Sequence, residues 1–375
     1  MISITEPYFD KEEGRLVQEV LDSKWVTQGP KTAMFERLFA ERHKLDHALA
    51  TTSCTAALHL ATLALGLGPG DEVIVPAFTW VTSAHAAEYV GAKAVFADVE
   101  LETFNIDPKA LESAITPRTK AVVVVHLFGK AAPMDAIMNL ARQHGLAVIE
   151  DAACAVGTTF QGECVGGIGD MGCFSFHPRK VITTGEGGMV TTNRRDLADR
   201  TKSLRNHGAT GPALGSDPTK PYAMGTFDIM GFNLRLSDIQ AAVGIAQMAK
   251  LDGLLSERRR LALRYTELLH KVEEIVLPTD DPGHTYQSYV VRLAKSDREK
   301  RNSIMEDLAV QKIQTRPGTH AVHRLGYYTA KYGLRPEQFP KACIAEGATI
   351  TLPIFPGMTD EQQIQVTTLL KCSFS

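Results

Sequence analysis

The chain has 375 residues, 44% of them hydrophobic and 22% charged, with 40 basic against 43 acidic side chains for a net charge of −3. A balance so close to neutrality excludes nucleic acid or an anionic membrane as an electrostatic partner, and no apolar run approaches the roughly 20 residues of a spanning helix. That length suits one large domain joined to a smaller one. The opening MISITEPYFDKEEGR lacks a basic stretch followed by an apolar core, so no signal peptide is expected. The cysteines Cys54, Cys154, Cys164, Cys173, Cys343 and Cys372 form no CxxC pair and no metal-ligand rhythm. Reduced thiols in a cytoplasmic protein are the expectation, with no metal site.

In chain order, residues 7–42 show helical patterning interrupted at 25–30, where Gly29-Pro30 reads as a turn between two helices. A short apolar strand over 48–52 then feeds Ser53-Cys54-Thr55 and the helical run AALHLATLALGL. The first N–H groups of such a helix lack internal partners and favour an anion, so a phosphate can rest on Cys54, Thr55 and Ala56 with a Ser53 or Thr55 hydroxyl as a further donor. The plainer reading is that Ser53 or Thr55 only caps the helix. Residues 71–76 predict a buried strand, with Trp80 in the loop behind it. A flat aromatic there serves either the core or the face of a planar cofactor. Strands AKAVFADV, AVVVVH and LAVIED follow, separated by helical segments. Strands without polar alternation, each divided by a helix, argue for a largely parallel sheet covered on both faces, with ligands beyond the carboxyl ends of the strands. Ser53, Trp80, His126 and Asp151 fall at such ends. His126 reads either as a polar lining or as a satisfied structural histidine.

The stretch 150–188 carries the chemistry. Asp151 closes a strand, and alternation turns Glu150 to the other side. An aspartate buried at that point needs a protonated nitrogen opposite it, unless it merely caps the next helix. Gly166-Gly167-Ile168-Gly169 precedes a strand rather than opening a helix, so it is a turn and not a dinucleotide fingerprint. Ser175 alternates with Phe174 and Phe176 and presents its hydroxyl on the opposite face. Lys180 follows among apolar and small residues. A lysine within reach of a strand-end aspartate is what a pyridoxal phosphate enzyme needs: the amine attaches to the cofactor aldehyde, and the carboxylate keeps the pyridine nitrogen protonated.

The strings EDAACAVG and FSFHPRKVITTGEGGMVTTN resemble the sugar aminotransferase family known as DegT/DnrJ/EryC1/StrS, and the likeness runs from about Pro7 to about Val366. It implies an α/β fold of the fold-type I pyridoxal phosphate-dependent transferases. A mostly parallel seven-stranded sheet between helices would form a large domain over residues 1–250, followed by a small α+β domain over 251–375. In that family Lys180 holds the cofactor and moves protons, Asp151 faces the ring nitrogen, and Trp80 stacks on the ring. Ser53, Cys54, Thr55 and Ser175 hold the phosphate, and Cys154 stands where a Gln or His usually meets the ring oxygen. Two departures are plain: Ser-Cys-Thr replaces Ser-Gly-Thr, and a weakly donating thiol replaces the Gln or His. Relatives with His in place of the lysine are dehydratases. Here the lysine column falls on Lys180 rather than His177, which favours transamination.

In the second half, residues 207–222 read as a long loop rich in Gly, Pro and Ser. The motif GFNLRLSDIQ follows, in which the resemblance sends Asn233 to the neighbouring subunit's cofactor and so implies an obligate homodimer. Leucines from Leu251 onward recur at helical spacing, with Arg258, Arg259 and Arg260 expected to face water. Arg235, Arg316 and His320, with His323 nearby, are the candidate substrate contacts. The expected activity moves an amino group from a donor such as glutamate to a keto-sugar, most simply a nucleotide-linked one. An aminotransferase acting on a cyclitol ketone, or a regulatory protein that binds the cofactor without turnover, is the alternative.

Overall fold

The structure is a computed structural model that describes residues 1–210, 219, 222 and 224–374. Most of the loop expected over 207–222 lies outside the described residues. The strands, in chain order, begin with β1 (His47–Thr51), β2 (Glu72–Pro76), β3 (Phe78–Thr79), β4 (Lys93–Ala97), β5 (Thr119–Val125), β6 (Ala147–Asp151) and β7 (Thr159–Phe160). They continue with β8 (Glu163–Cys164), β9 (Met171–Ser175), β10 (Gly188–Thr192), β11 (Ile275–Val276), β12 (Tyr289–Leu293), β13 (His320–Ala321) and β14 (Thr349–Leu352).

Seven of them form the central sheet in the order β1-β10-β9-β6-β5-β2-β4. β2, β4, β5, β6 and β9 pair in parallel, and β10 runs antiparallel to both of its neighbours. The expected mostly parallel sheet is therefore present. Ala121 to Val124 of β5 are wholly buried because helices cover both faces. Burial of each such valine stabilises the fold by about 1.5–3 kcal/mol relative to exposure. A second, antiparallel sheet of β11, β12 and β14 packs with the C-terminal helices.

Helix α1 (Lys11–Ser23) starts with a reciprocal cap between Asp10 and Glu13. Helix α2 (Pro30–His43) has proline in its first turn and no side-chain cap of its own. Its free N–H groups are served from far away. The carboxylate of Asp238 accepts from the backbone of Gly29 at 2.8 Å, Lys31 at 3.0 Å and Thr32 at 2.9 Å. Asp238 itself opens a 32-residue helix, Asp238–Leu269, whose first turn is capped by Ser237 and Gln240. The expected domain boundary at residue 250 falls within this helix. Among the described residues no helix is long and apolar enough to cross a membrane.

One expectation fails on this long helix. Arg259 and Arg260 do reach acidic partners at the surface, Asp280 and Glu257. Arg258, however, is only 1% exposed. It falls between Leu254 and Leu261 on the buried face, and the same periodicity that buries those leucines carries it inward. Its guanidinium donates to the backbone carbonyls of Gln287 at 3.2 Å and Ile354 at 3.3 Å, and burial pulls its pKa down to about 10.

Candidate active site

The site forms beyond the carboxyl ends of the parallel strands. Asp151 ends β6 and is only 3% exposed. Its Oδ2 accepts from the Ser83 hydroxyl at 2.6 Å, and its Oδ1 accepts from the Ala153 amide at 3.2 Å. Ser83 lies in helix α4 (Thr82–Tyr89) and is itself 3.0 Å from the Thr79 hydroxyl. Burial pushes the Asp151 pKa up, while the Ser83 hydroxyl, the Ala153 amide and the charge of Lys180 hold it down. Among the described residues no cation pairs directly with this carboxylate. A buried acid supplied only with neutral donors is electrostatically incomplete, and a protonated ring nitrogen is a group that would complete it.

Lys180 stands in the bend between β9 and β10, half-buried, and its Nζ donates to Cys154 Sγ at 3.1 Å. Cys154 thus touches the amine, a contact that sequence spacing did not indicate.

The phosphate-type turn depends on one glycine. Gly188 pairs with Thr51 of β1 on one side and Ser175 of β9 on the other. A Cβ at Gly188 would lie 2.4 Å from the Ser53 carbonyl carbon and 2.6 Å from the Cys54 nitrogen, so only glycine lets β10 start against this turn. In this way the Ser53-Cys54-Thr55 turn and Ser175 become neighbours in space. Ser53 caps helix α3 (Cys54–Ala64) by accepting from the Ala56 amide at 3.1 Å, which leaves its own proton free to donate. Ser175 is 7% exposed and accepts from the His177 amide at 3.4 Å. Phe174 and Phe176 turn the other way, onto Phe39 and Phe35, as alternation requires. The acid, the amine, the hydroxyls and the free helix N-terminus match the donor set that pyridoxal phosphate requires.

Trp80 follows β3 and is 57% exposed. β3 pairs with β13, placing His320 opposite Thr79, and the Trp80 and His320 rings lie 5.5 Å apart at 48°. Two candidates separated by 240 positions therefore share one wall. Arg235 bridges to Thr51 through its backbone and donates to Asn206 Oδ1 at 2.6 Å. Asn233 is exposed and bridges to Asn206. Arg316 is half-buried, anchored by its carbonyl, which accepts from the Thr351 amide at 2.7 Å.

Two histidines resolve as structural. His126 is fully buried; its Nδ1 accepts from the Ala132 amide at 3.1 Å and its Nε2 donates to Glu150 at 3.0 Å. Glu150, turned away from Asp151, also accepts the amides of Gly166, Ile168 and Gly169, so the glycine-rich turn wraps a carboxylate of its own chain. His323, expected as a substrate contact, is instead fully buried beside Phe339, with Nε2 3.5 Å from Cys343 Sγ. Sequence reasoning missed Ser83 and Thr79, because the only signal was a hydroxyl-rich Thr79-Trp80-Val81-Thr82-Ser83 segment with nothing to tie it to residue 151. We expect Ser83→Ala to move the acid limb of the activity profile to higher pH. Loss of the hydroxyl removes a hydrogen bond that holds the Asp151 pKa down, so protonation of the carboxylate sets in earlier as pH falls. A pH titration of activity, with Ser83→Thr restoring the original limb, checks it.

A model of the DegT/DnrJ/EryC1/StrS aminotransferase family matches residues 7–371. GDP-perosamine synthase of Caulobacter vibrioides is 40% identical over 363 residues, covering 96% of this chain and 94% of that protein. Among solved structures, Spr1654 of Streptococcus pneumoniae in its PMP form superposes with a TM-score of 0.94 at 28% identity, over 100% of this chain and 99% of the other. Helicobacter pylori PseC, an aminotransferase of pseudoaminic acid biosynthesis, gives a TM-score of 0.93 at 28% identity with the same coverage.

Proposed function

Because this chain belongs to the DegT/DnrJ/EryC1/StrS aminotransferase family, we propose that it transfers an amino group from glutamate to the ketone of a nucleotide-linked sugar, with GDP as the first carrier to test. The chain is a pyridoxal phosphate-dependent sugar aminotransferase. The observation that carries the site assignment is the buried Asp151 carboxylate, with no cation paired to it among the described residues, on the side of the sheet where Lys180 emerges. The GDP carrier draws support from the 40% identity to GDP-perosamine synthase.

Bound pyridoxal phosphate supplies an aldehyde and an electron-withdrawing ring. The chain's own residues do the rest. Asp151 holds a proton on the ring nitrogen, and Ser83 keeps that carboxylate ionised and oriented. The Ser53, Cys54 and Thr55 turn and Ser175 grip the phosphate, Trp80 covers the ring, and Cys154 lies beside the amine. Lys180 Nζ would hold the cofactor, and as a free amine it would take and return the proton at the donor carbon. Arg235, Arg316 and His320 face the substrates in this reading. Residues 1–250 form the cofactor domain and 251–375 the smaller one. Two copies pair so that Asn233 of each completes the other's phosphate site, and the enzyme works in the cytoplasm.

A panel of keto-sugars on GDP, UDP and dTDP carriers, with cyclitol ketones alongside, tests the substrate by product mass. We expect amination of the GDP-linked sugar with glutamate as donor. Amination of cyclitols alone overturns the proposal.

A further inference from the structure

The peptide group that joins Arg179 to Lys180 is tied at both of its polar ends. The Lys180 N–H donates to the His177 carbonyl at 2.8 Å, and the Arg179 carbonyl accepts from the Gln287 side-chain amide at 2.7 Å. A planar peptide held in this way has little freedom to turn, and its orientation sets the direction in which the Lys180 side chain leaves the backbone. The first tie is local and comes with the turn. The second crosses the molecule: Gln287 is 108 positions from Arg179 and stands just before β12, whose Tyr289, Val291 and Leu293 pack in the C-terminal core.

Gln287 is buried and held from several sides. The Ser288 hydroxyl donates to its Oε1 at 3.1 Å, which turns Nε2, the donating end, to Arg179. Its own carbonyl accepts from the Arg258 guanidinium at 3.2 Å. Before it, Tyr286 takes a φ of +48° while buried, with its hydroxyl on Asp280 at 2.9 Å. A buried tyrosine in the left-handed region persists only where its surroundings fix it. On the other flank Gly129 makes room for the Gln287 backbone: a Cβ there would lie 3.0 Å from the Gln287 nitrogen and 3.2 Å from the Cys154 carbonyl oxygen. The Gln287 segment therefore packs with the chain at Cys154, whose Sγ is 3.1 Å from the Lys180 amine. A lysine bonded to a cofactor has its nitrogen fixed by that bond, whereas proton transfer from the free amine depends on placement alone, and a shift of about 1 Å can cost on the order of 10²-fold. We propose that Gln287 is a positioning residue for Lys180, holding the Arg179 carbonyl so that the free amine is aimed at the donor carbon, a role that rests on the aminotransferase reading above.

The test compares wild type with Gln287→Met, which keeps the length and removes the donor, with Gln287→Glu, which puts an acceptor in the donor's place, and with Ser288→Ala. Proton transfer is followed in the cofactor-loaded proteins as the single-turnover change in absorbance, with L-glutamate and with L-glutamate deuterated at the α-carbon. The cofactor-free proteins are acylated with acetic anhydride, and the label at residue 180 is read by peptide mass. For Gln287→Met we expect the single-turnover rate to fall about tenfold or more and the deuterium isotope effect to rise. The half-saturating glutamate concentration and the borohydride-fixed cofactor content should stay those of wild type. Without cofactor, labelling at residue 180 should quicken by about fivefold, the worth of one hydrogen bond, as the amine leaves Cys154. Gln287→Glu shows the same pattern and serves as the readout if Gln287→Met does not fold. Ser288→Ala, which frees the amide to flip, shows a smaller loss in the same direction. An unchanged rate, a slower rate with an unchanged isotope effect, or a loss confined to cofactor content or glutamate saturation overturns the proposal. A wild-type enzyme whose cofactor absorbance responds to no amino acid overturns the aminotransferase reading itself, and is told apart because it fails before any variant is made.

Discussion

Lys180→Ala is expected to abolish transamination, lowering the rate by about 10⁴-fold or more, because in the proposed mechanism one residue provides both the attachment point for the cofactor and the proton carrier at the donor carbon. The readout that separates this from misfolding is chemical. Borohydride treatment of the wild type should fix pyridoxal phosphate to the chain, and a tryptic peptide containing residue 180 should carry the added mass. The alanine variant should carry none, while its circular dichroism stays that of the wild type. The substitution is tolerable because Lys180 is half-buried and the hydrogen bond its amine gives up, to Cys154 Sγ at 3.1 Å, joins two partly buried side chains rather than core groups. Fixation at a different lysine in wild type, or normal turnover in the variant, refutes the assignment. Added alkylamines give a further check. If the missing element is a base at that point, small amines should restore part of the proton transfer without restoring the covalent link.

The second large effect is expected at Asp151. Asp151→Asn preserves the shape and the hydrogen bond from Ser83 but removes the negative charge. In the proposed mechanism the ring nitrogen then loses the group that holds its proton, and the electron-withdrawing power of the cofactor falls with it. We expect a loss of about 10²–10³-fold in the proton-transfer step and a change in the absorbance of the bound cofactor, with Asp151→Glu intermediate. The environment is what makes this charge matter. The carboxylate is 3% exposed, so water screens it little. Its pKa is raised by burial and restrained chiefly by the Ser83 hydroxyl and then by the Ala153 amide. Since a raised carboxylate pKa means the charge is lost on acidification, wild-type activity should decline on the acid side where Asp151 protonates. Asp151→Asn should lack that limb. An acid limb that survives in the asparagine variant would assign it to another group.

The comparison of Ser83 with Lys180 shows what was legible in advance. Lys180 and Asp151 belong to one continuous stretch; Asp151 ends a strand whose apolar run is unmistakable, and Lys180 stands in the bend that follows the next strand of the sheet. Ser83 is 68 positions from Asp151, and nothing local marks it. Arg258 failed for a different reason. Its charge was weighed above its place in the helical repeat, although Leu254 and Leu261 on either side pointed inward. His323 reads beside His320 as a candidate substrate contact, but β13 ends between them, and the chain turns His323 under Phe339.

The amino-acid sequence by itself determined the succession of helices and strands and the chemical class of the reaction, and it marked the candidate acid and amine. These follow from periodicity and from residue type over short spans, where a few neighbours decide the outcome. Only the tertiary structure decided which distant groups meet. Gly188 brings the Ser53 turn against Ser175, Asp238 closes the start of α2, and Arg179 and Arg316 line one cleft. Such contacts arise from sheet register and from the packing of both faces, and register depends on every strand at once rather than on any single stretch of chain.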